Sequence, residues 1–194
     1  MSMEASLPRS DQTMTQSTKQ SEATTARLLV VMGVAGSGKS SIGEALADRL
    51  GGLYLDGDTY HPQANVEKMS RGEPLTDEDR WPWLERFAKE MQQREGIIIG
   101  GCSALKRAYR DRITAAAGER TTFVHLSGSR ELIRNRMDAR TGHFMPVSLL
   151  DGQFATLEPP ALDEDAVTID IDAPVDTIVT NAIAALQSRG HERE

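Results

Sequence analysis

Cysteine is almost absent from this chain. Cys102 stands alone among 194 residues, so an internal disulfide is excluded. Aromatic residues make up only 5% of the sequence, and the four histidines are scattered without the spacing of metal ligands. No run reaches the roughly 18 apolar residues that a membrane helix needs, and no apolar signal core opens the sequence. Positive charge is in deficit as well: 22 Lys+Arg against 29 Asp+Glu leave a formal charge of −7. That balance argues against general adhesion to nucleic acid or to an anionic membrane, and leaves room only for a local basic patch suited to a small anion. These absences lead to the expectation of a reducing, cytoplasmic setting and a small-molecule partner. The remainder, 39% hydrophobic and 26% charged, suffices for one domain with a substantial core and is short for two.

Residues 1–26 are Ser, Thr, Gln, Met and charge without periodicity. They bury too little to offset their ordering entropy, and a disordered extension is expected. From Arg27 short apolar runs alternate with helical patterns, which predicts a single α/β domain over 27–190, a parallel sheet covered by helices on both faces. The predicted strands are Leu28 to Met32, Leu53 to Leu55, Ile97 to Ile99, Thr122 to Leu126 and Val167 to Asp170. Helices are predicted from Ser40 to Leu50, stopped by Gly51-Gly52, from Pro62 to Ser70, from about Trp81 to Arg94, and from Pro174 onward.

Between the first strand and the first helix lies Gly33-Val34-Ala35-Gly36-Ser37-Gly38-Lys39-Ser40. This is G-x-x-x-x-G-K-S in the strand-loop-helix setting that its chemistry requires. Glycines let successive backbone N–H groups turn around phosphate oxygens, and the helix directs its positive end at the same anion. Lys39 adds a point charge for the β/γ phosphates, and Ser40 offers a hydroxyl to a phosphate-bound Mg²⁺.

A second signal, Asp56-Gly57-Asp58, follows the second strand, where ligands of open α/β sheets bind. One carboxylate of the pair suits Mg²⁺ through water, and the other suits the orientation or deprotonation of an attacking hydroxyl. Ordinary turn chemistry is the alternative for this tripeptide. The third strand runs into Gly100-Gly101-Cys102 without an acidic residue, unlike the strand of large motor ATPases. The two glycines read either as a close approach for substrate or as a tight turn. Arg130, Arg134, Arg136 and Arg140 lie on a predicted helix before Thr141-Gly142. Arg136 and Arg140 share a face and suit a mobile lid over the transferred phosphoryl group, whereas Arg130 and Arg134 read as a solvated surface.

The phosphate loop, Asp56-Gly57-Asp58-Thr59-Tyr60-His61-Pro62, Gly72-Glu73-Pro74-Leu75-Thr76-Asp77-Glu78-Asp79-Arg80, Cys102-Ser103-Ala104-Leu105-Lys106, Tyr109-Arg110-Asp111, Gly142-His143-Phe144 and Gln153-Phe154 together resemble the small P-loop gluconokinases. The resemblance covers nearly everything from the first strand to the last helix. It implies a three-layer, shikimate-kinase-like P-loop fold, with a substrate-binding insertion over 61–95 and a lid over 136–160. It further implies ATP-dependent phosphorylation of D-gluconate at its 6-hydroxyl, Mg²⁺, and commonly a homodimer. By that likeness Gly33 to Ser40 bind ATP, with Lys39, Asp58 and Arg136 catalytic and Arg136 and Arg140 at the nucleotide. Ser40 and Asp56 would hold the metal, and Asp58, His61, Arg80, Gly101 and Lys106 would meet the sugar acid. For Arg80 a helix-start ion pair with Asp77 or Asp79 stays open as the alternative, and for His61 a surface turn. Cys102 reads as a small buried apolar residue rather than a nucleophile. Asp151-Gly152 departs from the family's more helix-friendly pair, which predicts a weaker trailing helix for the lid. Two other readings remain: another small-metabolite or nucleotide kinase of the same fold, and a nucleotide-binding regulator that would have no need of Asp58.

Overall fold

The computed structural model describes residues 26–139 and 147–191. Five strands form one parallel sheet: β1 (Leu28–Met32), β2 (Leu53–Asp56), β3 (Ile98–Gly101), β4 (Thr121–Ser127) and β5 (Ala166–Asp170), in the order β2-β3-β1-β4-β5. The central strand β1 is buried throughout because helices cover both faces. Its side chains alternate: Leu29 and Val31 join one core and Leu28, Val30 and Met32 the other. The first core packs α1 (Lys39–Leu50) and α7 (Val175–His191) through Ile42, Leu46, Ile178 and Ala182. The second packs α3 (Asp77–Gln92) and α4 (Arg107–Ala117) through Leu84, Phe87, Tyr109 and Ile113. Three further helices, α2 (Gln63–Ser70), α5 (Arg130–Asp138) and α6 (Val147–Thr156), lie in the connections. No helix among the described residues is long and apolar enough to cross a membrane.

The expected five strands are present, and α1 stops at Gly51 in the left-handed conformation, φ 65°. Three local expectations need correction. Helix α3 starts at Asp77, four residues before Trp81, because Thr76 and Asp79 cap each other's backbone N–H reciprocally, at 3.2 and 2.8 Å. Helix α4 was not anticipated: its inward face reads Tyr109, Arg110, Ile113 and Ala117, and a charged residue interrupts the apolar stripe. Gly100 and Gly101 are strand residues of β3, not a turn. A methyl group on Gly100 would lie 2.4 Å from the Phe87 ring, and one on Gly101 2.2 Å from Tyr54 Oη. Their smallness serves packing. Gly152 does sit inside α6, with open space around it. Of the expected extension over 1–26 only Ala26 is described, and it is buried in the first core rather than part of an extension, because its apolar side chain joins the cluster of Leu29 and Val31 on β1. Within the expected lid over 136–160, residues 140–146, Arg140 among them, fall outside the described residues.

Candidate active site

The phosphate loop turns between β1 and α1 at the carboxyl edge of the sheet. Gly33, Gly36 and Gly38 take φ values of 143°, 79° and 96°, open to glycine and costly for other residues. Gly38 caps α1 without a side-chain hydrogen bond, and no acidic residue lies in the helix's first turn. The first-turn N–H groups and the positive helix end therefore remain for an anion. Lys39 Nζ donates to the carbonyls of Gly33 and Val34, at 3.2 and 3.1 Å, which lays the ammonium along the loop's rim. Val34 is buried, Ala35 half-buried, and Ser37 wholly buried.

Across the cleft β2 ends at Asp56 and passes into a 3₁₀ turn, Gly57–Tyr60. Asp56 Oδ1 accepts from the N–H of Asp58 at 3.0 Å, and its backbone carbonyl accepts from Thr59 Oγ1 at 2.7 Å. The Gly57 carbonyl accepts from Trp83 Nε1 at 2.8 Å, fixing the turn against α3. Asp58 is open to the cleft, yet desolvation there, reinforced by the Asp56 charge, raises its pKa; Lys39 opposes the rise. Lys39 is thus near enough for its charge to act on Asp58. A carboxylate poised above its usual range suits proton acceptance.

Tyr54 ties these pieces together and was not singled out from the sequence. Its ring fills the space where a side chain on Gly43 would stand, at 2.4 Å, and its hydroxyl occupies the corresponding space at Gly101. The Ser40 side chain, Asp56 and Asp58 all lie near enough to act on that hydroxyl, and burial raises the phenol's pKa. Ser40 and Asp56, a hydroxyl and a carboxylate, thus gather around one phenol. Such oxygen donors fit Mg²⁺, which takes few protein ligands and keeps waters and phosphate oxygens. Among the described residues no group of three or more His, Cys, Asp or Glu could hold a metal by itself.

A cluster of charged and hydroxyl groups centres on Asp77. Its carboxylate accepts from Lys106 Nζ at 3.0 and 2.7 Å and from Tyr109 Oη at 2.5 Å, and Arg80 Nη1 lies 3.7 Å away. These partners, Lys106 first, hold the Asp77 carboxyl below the usual range. Arg80 also donates to the Leu75 carbonyl at 2.5 Å, so the helix-start ion pair exists alongside membership of the cluster. His61 stacks on Trp83, with centroids 3.9 Å apart and planes at 18°, and its Nδ1 lies 3.3 Å from Asn65 Nδ2. Burial, helped by the Arg80 charge, lowers its pKa to about 4, so the imidazole is neutral near pH 7. Gly101 is buried beneath this cleft, beside Tyr54.

Lys106 owes its place to Arg110. That guanidinium, 1% exposed, binds Glu164 through two hydrogen bonds at 2.5 and 2.8 Å. It also donates to the carbonyls of Ala104, Leu105 and Glu158. Ala104 sits at φ 41°, a left-handed conformation costing a non-glycine residue about 1–2 kcal/mol. The clamp holds that turn in place. Cys102 is buried, and desolvation pushes its thiol up to about 12, consistent with an unreactive packing residue.

On the lid side, α5 lays Ile133 and Met137 against Gly36. Arg136 Nη2 donates to the Ile171 carbonyl at 2.5 Å, just beyond β5. The structure thus brings together the loop, Asp56, Asp58, His61, Arg80 and Lys106, and sets Arg136 on the helix overlying the loop. Tyr54, Asp77, Trp83 and Tyr109 stand among them, and Gln153 Oε1 accepts the Ala35 N–H of the loop at 2.6 Å. The small residues facing Tyr54 were the available clue to it.

An AAA domain family model matches residues 28–160. A probable gluconokinase of Xenopus tropicalis is 42% identical over 170 residues, covering 79% of this chain and 90% of the relative. Among solved structures, a gluconokinase from Sinorhizobium meliloti 1021 superposes with a TM-score of 0.80 at 46% identity, covering 87% of this chain and 95% of that one. A shikimate kinase from Aquifex aeolicus, at 16% identity and a TM-score of 0.56, shares the fold alone. At this identity and coverage the inference is direct: the chain belongs to the gluconokinase family of P-loop kinases.

Proposed function

We propose that this chain transfers the terminal phosphoryl group of ATP to the 6-hydroxyl of D-gluconate, releasing ADP and 6-phospho-D-gluconate. The observation supporting this reading is a phosphate loop whose Lys39 charge acts on Asp58, together with the Lys106, Asp77 and Arg80 cluster on α3 and at the start of α4. In this scheme the loop Gly33 to Ser40, through those of its amides that no protein group accepts from, and the Lys39 ammonium bind the phosphates. Ser40 and Asp56 hold Mg²⁺, which supplies charge neutralisation when bound. Asp58 orients the acceptor hydroxyl and takes its proton as the oxygen attacks phosphorus. Arg80 and Lys106 supply the positive charge that a sugar-acid carboxylate requires, sharing it with Asp77, and neutral His61 bonds a hydroxyl. Gly101 lines the floor beneath, and Arg136 with Arg140 closes over the nucleotide and excludes water.

The insertion over 61–95 would carry acceptor specificity, the segment 136–160 the lid, and residues 1–25 a variable extension. A cytoplasmic homodimer completes the proposal. The test is ADP release measured with gluconate, other sugar acids, shikimate and nucleoside monophosphates. Gluconate is expected to give the highest kcat/KM; a rate with gluconate no better than with water overturns the reading.

A further inference from the structure

Gln153 lies 118 positions from Ala35, yet its side-chain oxygen accepts the Ala35 N–H at 2.6 Å. Ala35 stands on the rim of the phosphate loop, between Gly33 and Gly36, both at positive φ. Gln153 reaches it from α6, and its helix neighbours Leu150 and Phe154 pack into the core that also contains Val34 and Ile133. Helix α5 meets the same loop through Ile133 and Met137 at Gly36. The loop is therefore held between two helices, α5 and α6. Because a backbone N–H can only donate, the bond assigns oxygen to the bonded end of the carboxamide. The NH₂ group on the same carbon is then a donor within a few ångströms of the loop's mouth.

We propose that Gln153 is a positioning residue for the donor phosphates: its oxygen sets the loop's rim from α6, and its NH₂ end faces the terminal phosphate without adding negative charge there. A glutamate would keep the acceptor but place a like charge beside the triphosphate, where Coulomb repulsion in a partly desolvated cleft is strong. The inference rests on the ATP half of the proposed function and not on the acceptor.

The test measures ATP and ADP affinity by calorimetry without any acceptor, together with thermal melting, for wild type, Gln153→Glu and Gln153→Met. Gln153→Glu is expected to melt within about 3 °C of wild type, to lose about tenfold or more in ATP affinity, and to lose distinctly less for ADP. Raising salt should shrink the ATP deficit. Gln153→Met, close in shape but without either polar atom, should weaken ATP about fivefold through one lost bond. Equal losses for ATP and ADP in Gln153→Glu, or no loss, overturn the proposal and reduce Gln153 to a tether of α6. Should Gln153→Glu not fold, unchanged ATP affinity in Gln153→Met overturns it instead.

Discussion

The two halves of the cleft are built from different materials. The donor half occupies eight consecutive residues, Gly33 to Ser40, and works largely through backbone N–H groups freed by left-handed glycines and an uncapped helix start. The proposed acceptor half gathers Asp77 and Arg80 from α3, Lys106 and Tyr109 at the start of α4, and His61 from beyond the 3₁₀ turn. Phosphate is common to every nucleotide, so a local backbone shape recognises it wherever the strand-loop-helix unit folds. A particular hydroxyl and carboxylate need side chains at set separations, and those come together only when α3 and α4 pack on the sheet. Damage to the donor half should therefore act on the nucleotide, and damage to the acceptor half on the sugar acid. Asp58 stands where they meet.

The strongest test of that division is Asp58→Asn. Turnover is expected to fall about 10²- to 10⁴-fold, the usual worth of a positioned acid or base, while the ATP dissociation constant stays within about threefold. Unchanged turnover would remove Asp58 from the chemistry. Its pKa is raised, so the folded protein holds the proton more tightly than the unfolded chain does. Its ionised form therefore costs stability once pH exceeds the folded pKa. The Asn variant should melt no lower than wild type at pH 7, and the acid limb of wild-type kcat/KM should lie above the ordinary aspartate value near 3.9.

Next in size is Lys106→Met, which should raise KM for gluconate about 10- to 100-fold through loss of a charge-assisted hydrogen bond, with KM for ATP unchanged. Steady-state kinetics with each substrate varied in turn decides it. An equal rise in both constants would mean that the halves are coupled rather than separable.

The seam beneath the cleft offers a third test. Gly101→Ala forces a methyl group to within 2.2 Å of Tyr54 Oη and should destabilise by about 1–3 kcal/mol. Adding Tyr54→Phe should restore part of that loss by removing the clashing oxygen. If the double variant, followed by urea unfolding, is no more stable than Gly101→Ala alone, the tyrosine is not what excludes the methyl.

The smallest effect concerns His61. With its folded pKa lowered to about 4 against roughly 6.5 when unfolded, the unfolded chain takes up the proton first. The stability that His61 contributes is whole above about pH 6.5 and is lost as pH falls towards 4. His61→Gln should reduce the difference between urea midpoints at pH 7 and pH 4.5. His125, buried on β4 and also lowered to about 4, keeps its own share of that slope. A difference as large as in wild type would place the titration elsewhere.

Much of the fold was legible because its signals are local. Five short apolar runs became five strands, and Gly51 stopped α1 as a left-handed cap should. Helix α4 was hidden by Arg110, whose place in an apolar stripe makes sense only beside Glu164, 54 positions away. Gly100 and Gly101 invited a turn because nothing nearby shows Phe87 and Tyr54 pressing on them. The site divides in the same way. Gly33 to Ser40, Asp56 and Asp58 announced themselves by spacing, whereas Tyr54 carries no motif of its own, and Asp77, Tyr109 and Gln153, though part of the strings that carry the resemblance, gain a definite place only through their contacts.

By itself the sequence determined that a phosphate loop follows the first strand, that two carboxylates follow the second, and that the domain is a parallel sheet between helical layers. These are short-range facts, settled by backbone sterics, glycine's freedom and apolar periodicity within a few residues. Tertiary structure decided which side chains answer the loop across the cleft, how Arg110 holds Lys106 in place, and that Gln153 reaches back to Ala35. The reason is distance along the chain: contacts 50 to 120 residues apart, such as Arg110 with Glu164 and Gln153 with Ala35, depend on how whole helices pack, and no local pattern encodes them.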